Sequence, residues 1–186
     1  WDLAGKNILV IGFGRIGSNF VKRAIAFEMN VYVYDPYVNK NIIKKSGAIP
    51  IDNVHANLSK MDAVTLHCTK NDETTNFFTK KEFDIMKNNS FIINCARGGI
   101  LNEKDLYESL LEKNIAGAGL DVFDEEPTPS TNPLFKLNNV ILSPHIAGVT
   151  VESSVRMATE TVQNVLNVLD NKVNKLVVVN NKEIGV

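Results

Sequence analysis

Three titratable or charged side chains stand in short, distinctive segments: Arg97 in Asn94-Cys95-Ala96-Arg97-Gly98-Gly99-Ile100, Glu126 in Asp121-Val122-Phe123-Asp124-Glu125-Glu126-Pro127, and His145 in Ser143-Pro144-His145-Ile146-Ala147-Gly148. Together they are the charges that moving a hydride onto a 2-keto acid requires. Such a molecule carries a carboxylate beside a carbonyl, so a fixed guanidinium can bind both while an imidazole gives or takes the hydroxyl proton. A carboxylate beside the imidazole favours its charged form. The chain prefers lysine and keeps arginine only at Arg15, Arg23, Arg97 and Arg156. An ammonium cannot replace a planar fork where two oxygens are held at once, so Arg97 points to bidentate recognition. The plainer readings are a surface ion pair for Arg97 and an exposed acidic pair for Glu125 and Glu126 in a proline-rich loop. Of the other histidines, His55 is read as a surface residue and His67 as a shaper of its loop, since neither has an acidic partner at comparable spacing.

A second constellation opens the chain. Ile8-Leu9-Val10-Ile11 reads as a buried strand running straight into Gly12-Phe13-Gly14-Arg15-Ile16-Gly17, the G-x-G-x-x-G spacing, with a helical pattern directly after it. Gly12 permits a tight turn, Gly14 lets the backbone approach a pyrophosphate, and Gly17 lets the helix sit close to the strand. The free N–H groups of the helix's first turn then face the anion. Asp35 ends the second strand, 18 residues past Gly17, where a carboxylate can accept from both ribose hydroxyls of NAD and repel a 2′-phosphate. It can equally serve as a turn residue ahead of Pro36, and the two roles are compatible.

These residues need a scaffold. Short apolar runs alternate with amphipathic stretches throughout, which predicts βαβ units and an α/β fold of Rossmann type, a doubly wound parallel sheet covered on both faces. Strands are predicted at Asn7–Ile11, Val31–Tyr34, Ala63–Leu66, Phe91–Asn94, Ala116–Leu120 and Val140–Leu142, with a short one near Ala48–Pro50. Helices are predicted over Ile16–Phe27, from a capping box at Thr79 to about Met86, over Glu103–Lys113 behind Asn102, and over Val151–Leu169 behind Thr150. The last carries an apolar stripe at Val155, Ala158, Val162, Val165, Leu166 and Leu169 and reads as one more packed helix. Residues Asp124–Pro133 must form an irregular loop, and Lys175–Val179 is read as a final strand.

With 186 residues, 44% hydrophobic, and 20 basic against 21 acidic side chains, the chain can bury one sizeable core and is read as a single domain. A net charge of −1, with lysines scattered, argues against nucleic acid or anionic membrane as a partner. Cys68 and Cys95 lie at expected buried or loop-end positions without metal-ligand spacing, which fits a reducing, cytoplasmic setting. No apolar run approaches the roughly 20 residues of a membrane span, and no leader pattern is present. Trp1 is expected to be an internal residue of something longer.

Read in order after the glycine loop, Asp35-Pro36-Tyr37, NCARGGI, DVFDEEP and SPHIAG make the chain, over about residues 1–170, resemble the D-isomer-specific 2-hydroxyacid dehydrogenases. The resemblance implies that Arg97 binds the substrate carboxylate and keto oxygen, that His145 is the proton donor in ketone reduction, and that Glu126 pairs with His145. It also implies that Arg15, Ile16 and Asp35 contact NAD, that Cys68, Cys95 and Ala96 line its path with Gly148 nearby, and that Asp121 meets the nicotinamide end. The implied substrate is a 2-hydroxy or 2-keto acid, foremost the 3-phosphoglycerate and 3-phosphohydroxypyruvate pair, with hydroxypyruvate or glyoxylate as alternatives. It implies a homodimer as well. Family members carry a further domain before the glycine loop, so residues 1–186 are expected to be the NAD-binding domain, with a C-terminal helix and tail from about 151, and to bind NAD while turning over poorly alone. Two rival readings stand beside this one: a non-enzymatic NAD-sensing module, and a different NAD enzyme on a similar fold such as a formate dehydrogenase. Thr69-Lys70-Asn71 departs from the Pro-Leu-Thr that often follows the loop histidine, and HIAGVT differs from the ending of many relatives.

Overall fold

The computed structural model describes residues 2–180. Its apolar runs pair into one all-parallel sheet of seven strands: β1 (Asn7–Ile11), β2 (Asn30–Tyr34), β3 (Ile49–Pro50), β4 (Ala63–Leu66), β5 (Phe91–Asn94), β6 (Gly117–Leu120) and β7 (Val140–Leu142), in the order β3-β2-β1-β4-β5-β6-β7. Helices α1 (Arg15–Ala26), α2 (Lys40–Lys45), α3 (His55–Leu58), α4 (Lys80–Ile85), α5 (Glu103–Leu111) and α6 (Val151–Leu169) fill the connections. Strand β1 shows why its sequence is apolar without a break. Leu9 and Ile11 pack with Leu58, Phe83, Leu106 and Leu110 of α3, α4 and α5, while Ile8 and Val10 pack with Val21, Ala24 and Ile43 of α1 and α2. Alternate side chains thus enter separate cores on the two faces, as the period of two demands when both faces are covered.

The order has two consequences for a site. From β1 the chain winds one way to β2 and β3, then returns to place β4 on the other side of β1. The loops leaving β1 and β4 therefore diverge and open a crevice at the carboxyl edge. Strands β5, β6 and β7 are neighbours, so the loops carrying Arg97, Glu126 and His145 emerge side by side at that same edge.

The predicted strands stand, β3 shortened to Ile49–Pro50, and helix ends shift by one or two residues. Helices α2 and α3, of 6 and 4 residues, were not predicted, being too short and polar to carry an apolar stripe. The chain divides between His145 and Ile146 into two compact units. In the second, the predicted cap of α6 forms, with Ser153 N donating to Thr150 Oγ1 at 3.0 Å and Thr150 N to Ser153 Oγ at 2.8 Å. The helix has its apolar stripe, yet none of its residues is buried, contrary to the expectation of one more packed helix. The predicted terminal strand is instead a 3-10 turn at Lys175–Val177. The Asn174 side chain accepts from Leu176 N and its carbonyl from Val177 N, which curls the backbone away from extended pairing.

His55 has an acidic partner after all. Its Nε2 lies 2.6 Å from Glu82 Oε1, and Glu82 also accepts from Thr79 N at 2.8 Å and Thr79 Oγ1 at 2.7 Å at the start of α4. Burial pushes the Glu82 carboxyl up, but the Thr79 hydroxyl and amide and then the His55 ring outweigh it and hold the group below the ordinary glutamate value. A depressed folded-state value contributes stability above the unfolded pKa and loses it as pH falls through the folded one. Glu82→Gln is therefore expected to cost about 1–3 kcal/mol near neutral pH, the price of a broken buried network. The gap to the parent should narrow below about pH 4, the ordinary glutamate range, in urea unfolding curves collected across pH. A gap independent of pH would contradict this account.

Candidate active site

The Glu126–His145 pair is built by lashing the end of β6 to the end of β7. Ser143 N donates to Leu120 O at 2.9 Å, His145 N to Asp121 O at 2.7 Å, and Ser143 Oγ to Asp121 Oδ1 at 2.6 Å. This turns the backbone of His145 into the left-handed region, φ 56°, a conformation uncommon outside glycine, though His is among the residues that adopt it more often. Its Nδ1 stands 2.8 Å from Glu126 Oε2, while Glu126 Oε1 accepts from Phe123 N at 3.0 Å. The hydrogen bond from His145, and after it the Phe123 N–H, keep the Glu126 carboxyl below its ordinary range. With Nδ1 tied to the carboxylate, Nε2 is the ring atom left for a ligand. Both residues line a cleft of about 720 Å³ with Phe123, Pro127, Phe135 and Leu142.

Arg97 sits one strand over, in a loop held by the buried Asn94 at the end of β5. Asn94 Oδ1 accepts from Ala96 N at 3.0 Å and its Nδ2 donates to Arg97 O at 2.9 Å. Arg97 is exposed, its Nη1 donates to Ala96 O at 2.6 Å, and no ion pair of Arg97 is found among the described residues. The next residue couples this loop to the glutamate. A Cβ on Gly98 would lie 1.7 Å from Phe123 O, so only glycine lets the Arg97 loop close on the residue whose amide holds Glu126. Sequence reading missed Asn94, Gly98 and Ser143; the signals were there in a polar residue ending the apolar FIIN run and in the first of the two glycines after Arg97.

The crevice between β1 and β4 holds the second constellation, a cleft of about 220 Å³ lined by Gly12, Gly14, Asp35, His67 and Cys68 among others. Gly12 has φ 95°, and a Cβ there would lie 2.8 Å from the His67 backbone; on Gly17 it would lie 2.0 Å from Gly12 O. Gly14 differs, since a Cβ there would meet nothing within 4 Å. Packing within the chain does not explain this glycine, whose backbone is left open to a close approach. Arg15 and Ile16 open α1, and Ile16 is 71% exposed. Asp35 is a turn residue as well as a cleft wall: Oδ2 accepts from Phe13 N at 2.7 Å, and Oδ1 from Tyr37 N at 2.9 Å and Val38 N at 3.1 Å.

His67 packs against Phe20 and lies 3.1 Å from Thr65 Oγ1, and burial lowers its pKa, which suits a neutral shaping role. Cys68 is half-buried at the end of β4, and burial followed by the Asp35 charge raises its thiol pKa. Cys95 is exposed at the start of the loop after β5, and local desolvation with the Asp121 carboxylate raises its pKa too. Ala96 is buried beside it. Gly148 lies in the second unit, where its carbonyl accepts from Ser153 Oγ at 2.9 Å. The departing Thr69-Lys70-Asn71 segment forms an ordered turn around the Asn71 carboxamide, which accepts from Glu73 N and Thr74 N, each at 3.0 Å.

A sheet with a glycine crevice at its switch point and a histidine–carboxylate pair at its neighbouring edge agrees with comparisons to known proteins. Residues 1–147 match the family model described as D-isomer specific 2-hydroxyacid dehydrogenase, NAD binding domain. The chain belongs to this family. It is 42% identical over 168 residues to a D-3-phosphoglycerate dehydrogenase of Methanocaldococcus jannaschii, an alignment covering 90% of this chain and 32% of that protein. It is 36% identical over 168 residues to a glyoxylate reductase of Korarchaeum cryptofilum, covering 89% and 50%. Among solved structures, the apo D-lactate dehydrogenase of Escherichia coli superposes with a TM-score of 0.82 at 28% identity, covering 92% of this chain and 54% of that one. The chain thus spans about a third to a half of the length of these relatives. Its sheet unit is the family's NAD-binding domain, and the open backbone at Gly14 beside the first turn of α1 suits the pyrophosphate of that cofactor. No helix among the described residues is long and apolar enough to cross a membrane.

Proposed function

We propose that this chain supplies the NAD-binding and proton-transferring half of an oxidoreductase that interconverts a 2-hydroxy acid and its 2-keto acid. The observation that carries the reading is the Glu126–His145 hydrogen bond beside the glycine-coupled Arg97 loop, at the edge shared with the glycine crevice. When bound, NAD supplies or accepts the hydride. Gly12, Gly14 and Gly17, with Arg15 and Ile16, hold its pyrophosphate end, Asp35 accepts from its ribose, and Cys68, Cys95, Ala96 and Asp121 border its path. Arg97 takes the substrate carboxylate and keto oxygen, fixing which face of the carbonyl is presented. His145 Nε2 donates a proton to the keto oxygen in reduction and accepts it back in oxidation. Glu126 keeps the other ring nitrogen protonated and balances the charge of the imidazolium.

The 3-phosphoglycerate and 3-phosphohydroxypyruvate pair is the foremost substrate, on the strength of the M. jannaschii relative. Glyoxylate is the second reading, supported by the K. cryptofilum relative, and hydroxypyruvate stands beside it through a Thermotoga maritima reductase at 34% identity. A panel of these keto acids tested on the intact protein, followed by NADH oxidation, ranks them, and activity with none would remove the proposal. Arg97→Lys should lower keto-acid turnover about 10- to 100-fold, the worth of one charge-assisted hydrogen bond, with NADH affinity little changed. Full activity in that variant would rule out a forked contact.

A further inference from the structure

The cleft at the β1–β4 crevice has a second acidic wall. Tyr37, in the turn after β2, reaches across to hydrogen-bond Glu73 in the turn after β4, and both line the cleft that contains Asp35. Both ends of this strap are fixed. The Tyr37 N–H is held by Asp35 Oδ1 at 2.9 Å. Glu73 sits in a turn braced by Asn71, whose Oδ1 accepts from Glu73 N and Thr74 N, each at 3.0 Å, and by Thr74 Oγ1 donating to Thr69 O at 2.6 Å. The turn is joined to the Arg97 loop as well, through Asn76 N donating to Gly99 O at 2.8 Å. Two carboxylates, Asp35 and Glu73, are thus linked by one tyrosine across a space of about 220 Å³.

We infer that Glu73, positioned by Tyr37, is a second determinant of dinucleotide choice, excluding a phosphorylated ribose from the wall opposite Asp35. The inference rests on the proposed binding of NAD with its ribose at Asp35. Any group bound there falls inside the field of a carboxylate across so small a cleft, since charges are screened only beyond about 8 Å at physiological salt. A ribose hydroxyl is neutral and gains or loses little. A 2′-phosphate carries up to two negative charges and is repelled from both sides. Tyr37 is 76% exposed and Glu73 is exposed, so the effect acts through water and is moderate. The tether matters because a free glutamate would swing away from the phosphate, whereas one held by a phenol cannot do so without breaking a hydrogen bond.

Titration of the 186-residue chain with NADH and NADPH, followed by nicotinamide fluorescence, tests this. Glu73→Gln should tighten NADPH about five- to tenfold, a single moderate charge interaction, while NADH affinity moves less than about twofold. Asp35→Asn alone should leave a residual preference for NADH that the double variant reduces further, and raising the salt should shrink the parent's preference more than that of Glu73→Gln. Tyr37→Phe, which keeps the ring and cuts the bond, should give a smaller gain for NADPH in the same direction. If Glu73→Gln binds NADH as the parent does and its NADPH to NADH ratio is unchanged, the inference is overturned while the NAD-binding reading survives. A parallel fall for both nucleotides also overturns it, by making the strap a structural tie. If the parent binds neither nucleotide, the underlying reading fails and takes this one with it.

Discussion

Replacing His145 by Asn is expected to lower NADH-dependent reduction of a 2-keto acid by a factor of about 10²–10⁴, the usual contribution of a positioned general acid, without loss of NADH binding. Asparagine is the informative choice because it tolerates the left-handed backbone found at this position, φ 56°, so the variant removes the proton carrier and spares the turn. Glu126→Gln tests the pair from the other side. The carboxylate accepts from two donors, His145 Nδ1 through Oε2 and Phe123 N through Oε1. An amide has one acceptor oxygen, so one donor loses its partner, and if that is His145 the ring proton moves to the wrong nitrogen. Turnover should fall by a factor in the same range of about 10²–10⁴. Because the His145 bond and then the Phe123 N–H hold the Glu126 carboxyl below its ordinary range, the pair keeps its negative partner down to pH values where a free glutamate would already be protonated. Loss of activity on the acid side that traces to this pair should set in below about pH 4. Retention of more than half the parent's turnover by His145→Asn would show that the proton comes from elsewhere.

The two constellations were legible in the sequence for different reasons, and so were the gaps between them. The glycine loop is a local motif, with strand, turn and helix contiguous, and its steric logic survives intact in Gly12 and Gly17. Glu126 and His145 are 19 residues apart yet bonded; nothing in the spacing states that bond, and only the resemblance of whole segments implied it. The coupling of Gly98 to the Phe123 carbonyl joins two loops that follow different strands, and such a contact leaves no periodic trace. His55 and Glu82 escaped notice for the same cause, standing 27 residues apart on two short helices. Strands β1, β4 and β5 were readable because burial on both faces forces continuous apolar runs. The two-residue β3 and the tail had only a brief apolar run to offer, and at Lys175–Val177 a single upstream asparagine decided the conformation by bonding the backbone locally.

The three loop glycines separate fold from binding, and a pair of alanine variants should show it. Gly17→Ala places a Cβ 2.0 Å from Gly12 O. The obstacle is backbone at the very turn that leaves β1, so relief requires α1 to move off the sheet. A cost of about 1–3 kcal/mol is expected from such overpacking, seen as a fall of roughly 2–12 °C in the unfolding midpoint for a chain of this length. Gly14→Ala meets no atom of the chain within 4 Å, and the residue caps α1 with φ −74° and without a side-chain bond. Its stability cost should stay within about 1 kcal/mol, that of alanine at an N-cap. The new methyl group occupies the space where the backbone is open to a pyrophosphate, however, and NADH affinity should drop by about tenfold or more, the worth of one displaced charge-assisted hydrogen bond. Calorimetric unfolding and NADH titration on both variants give a crossed pattern if the reading is right. A Gly14→Ala chain that binds NADH as tightly as the parent would mean that the glycine serves something other than the cofactor, and the assignment of the crevice would have to be abandoned.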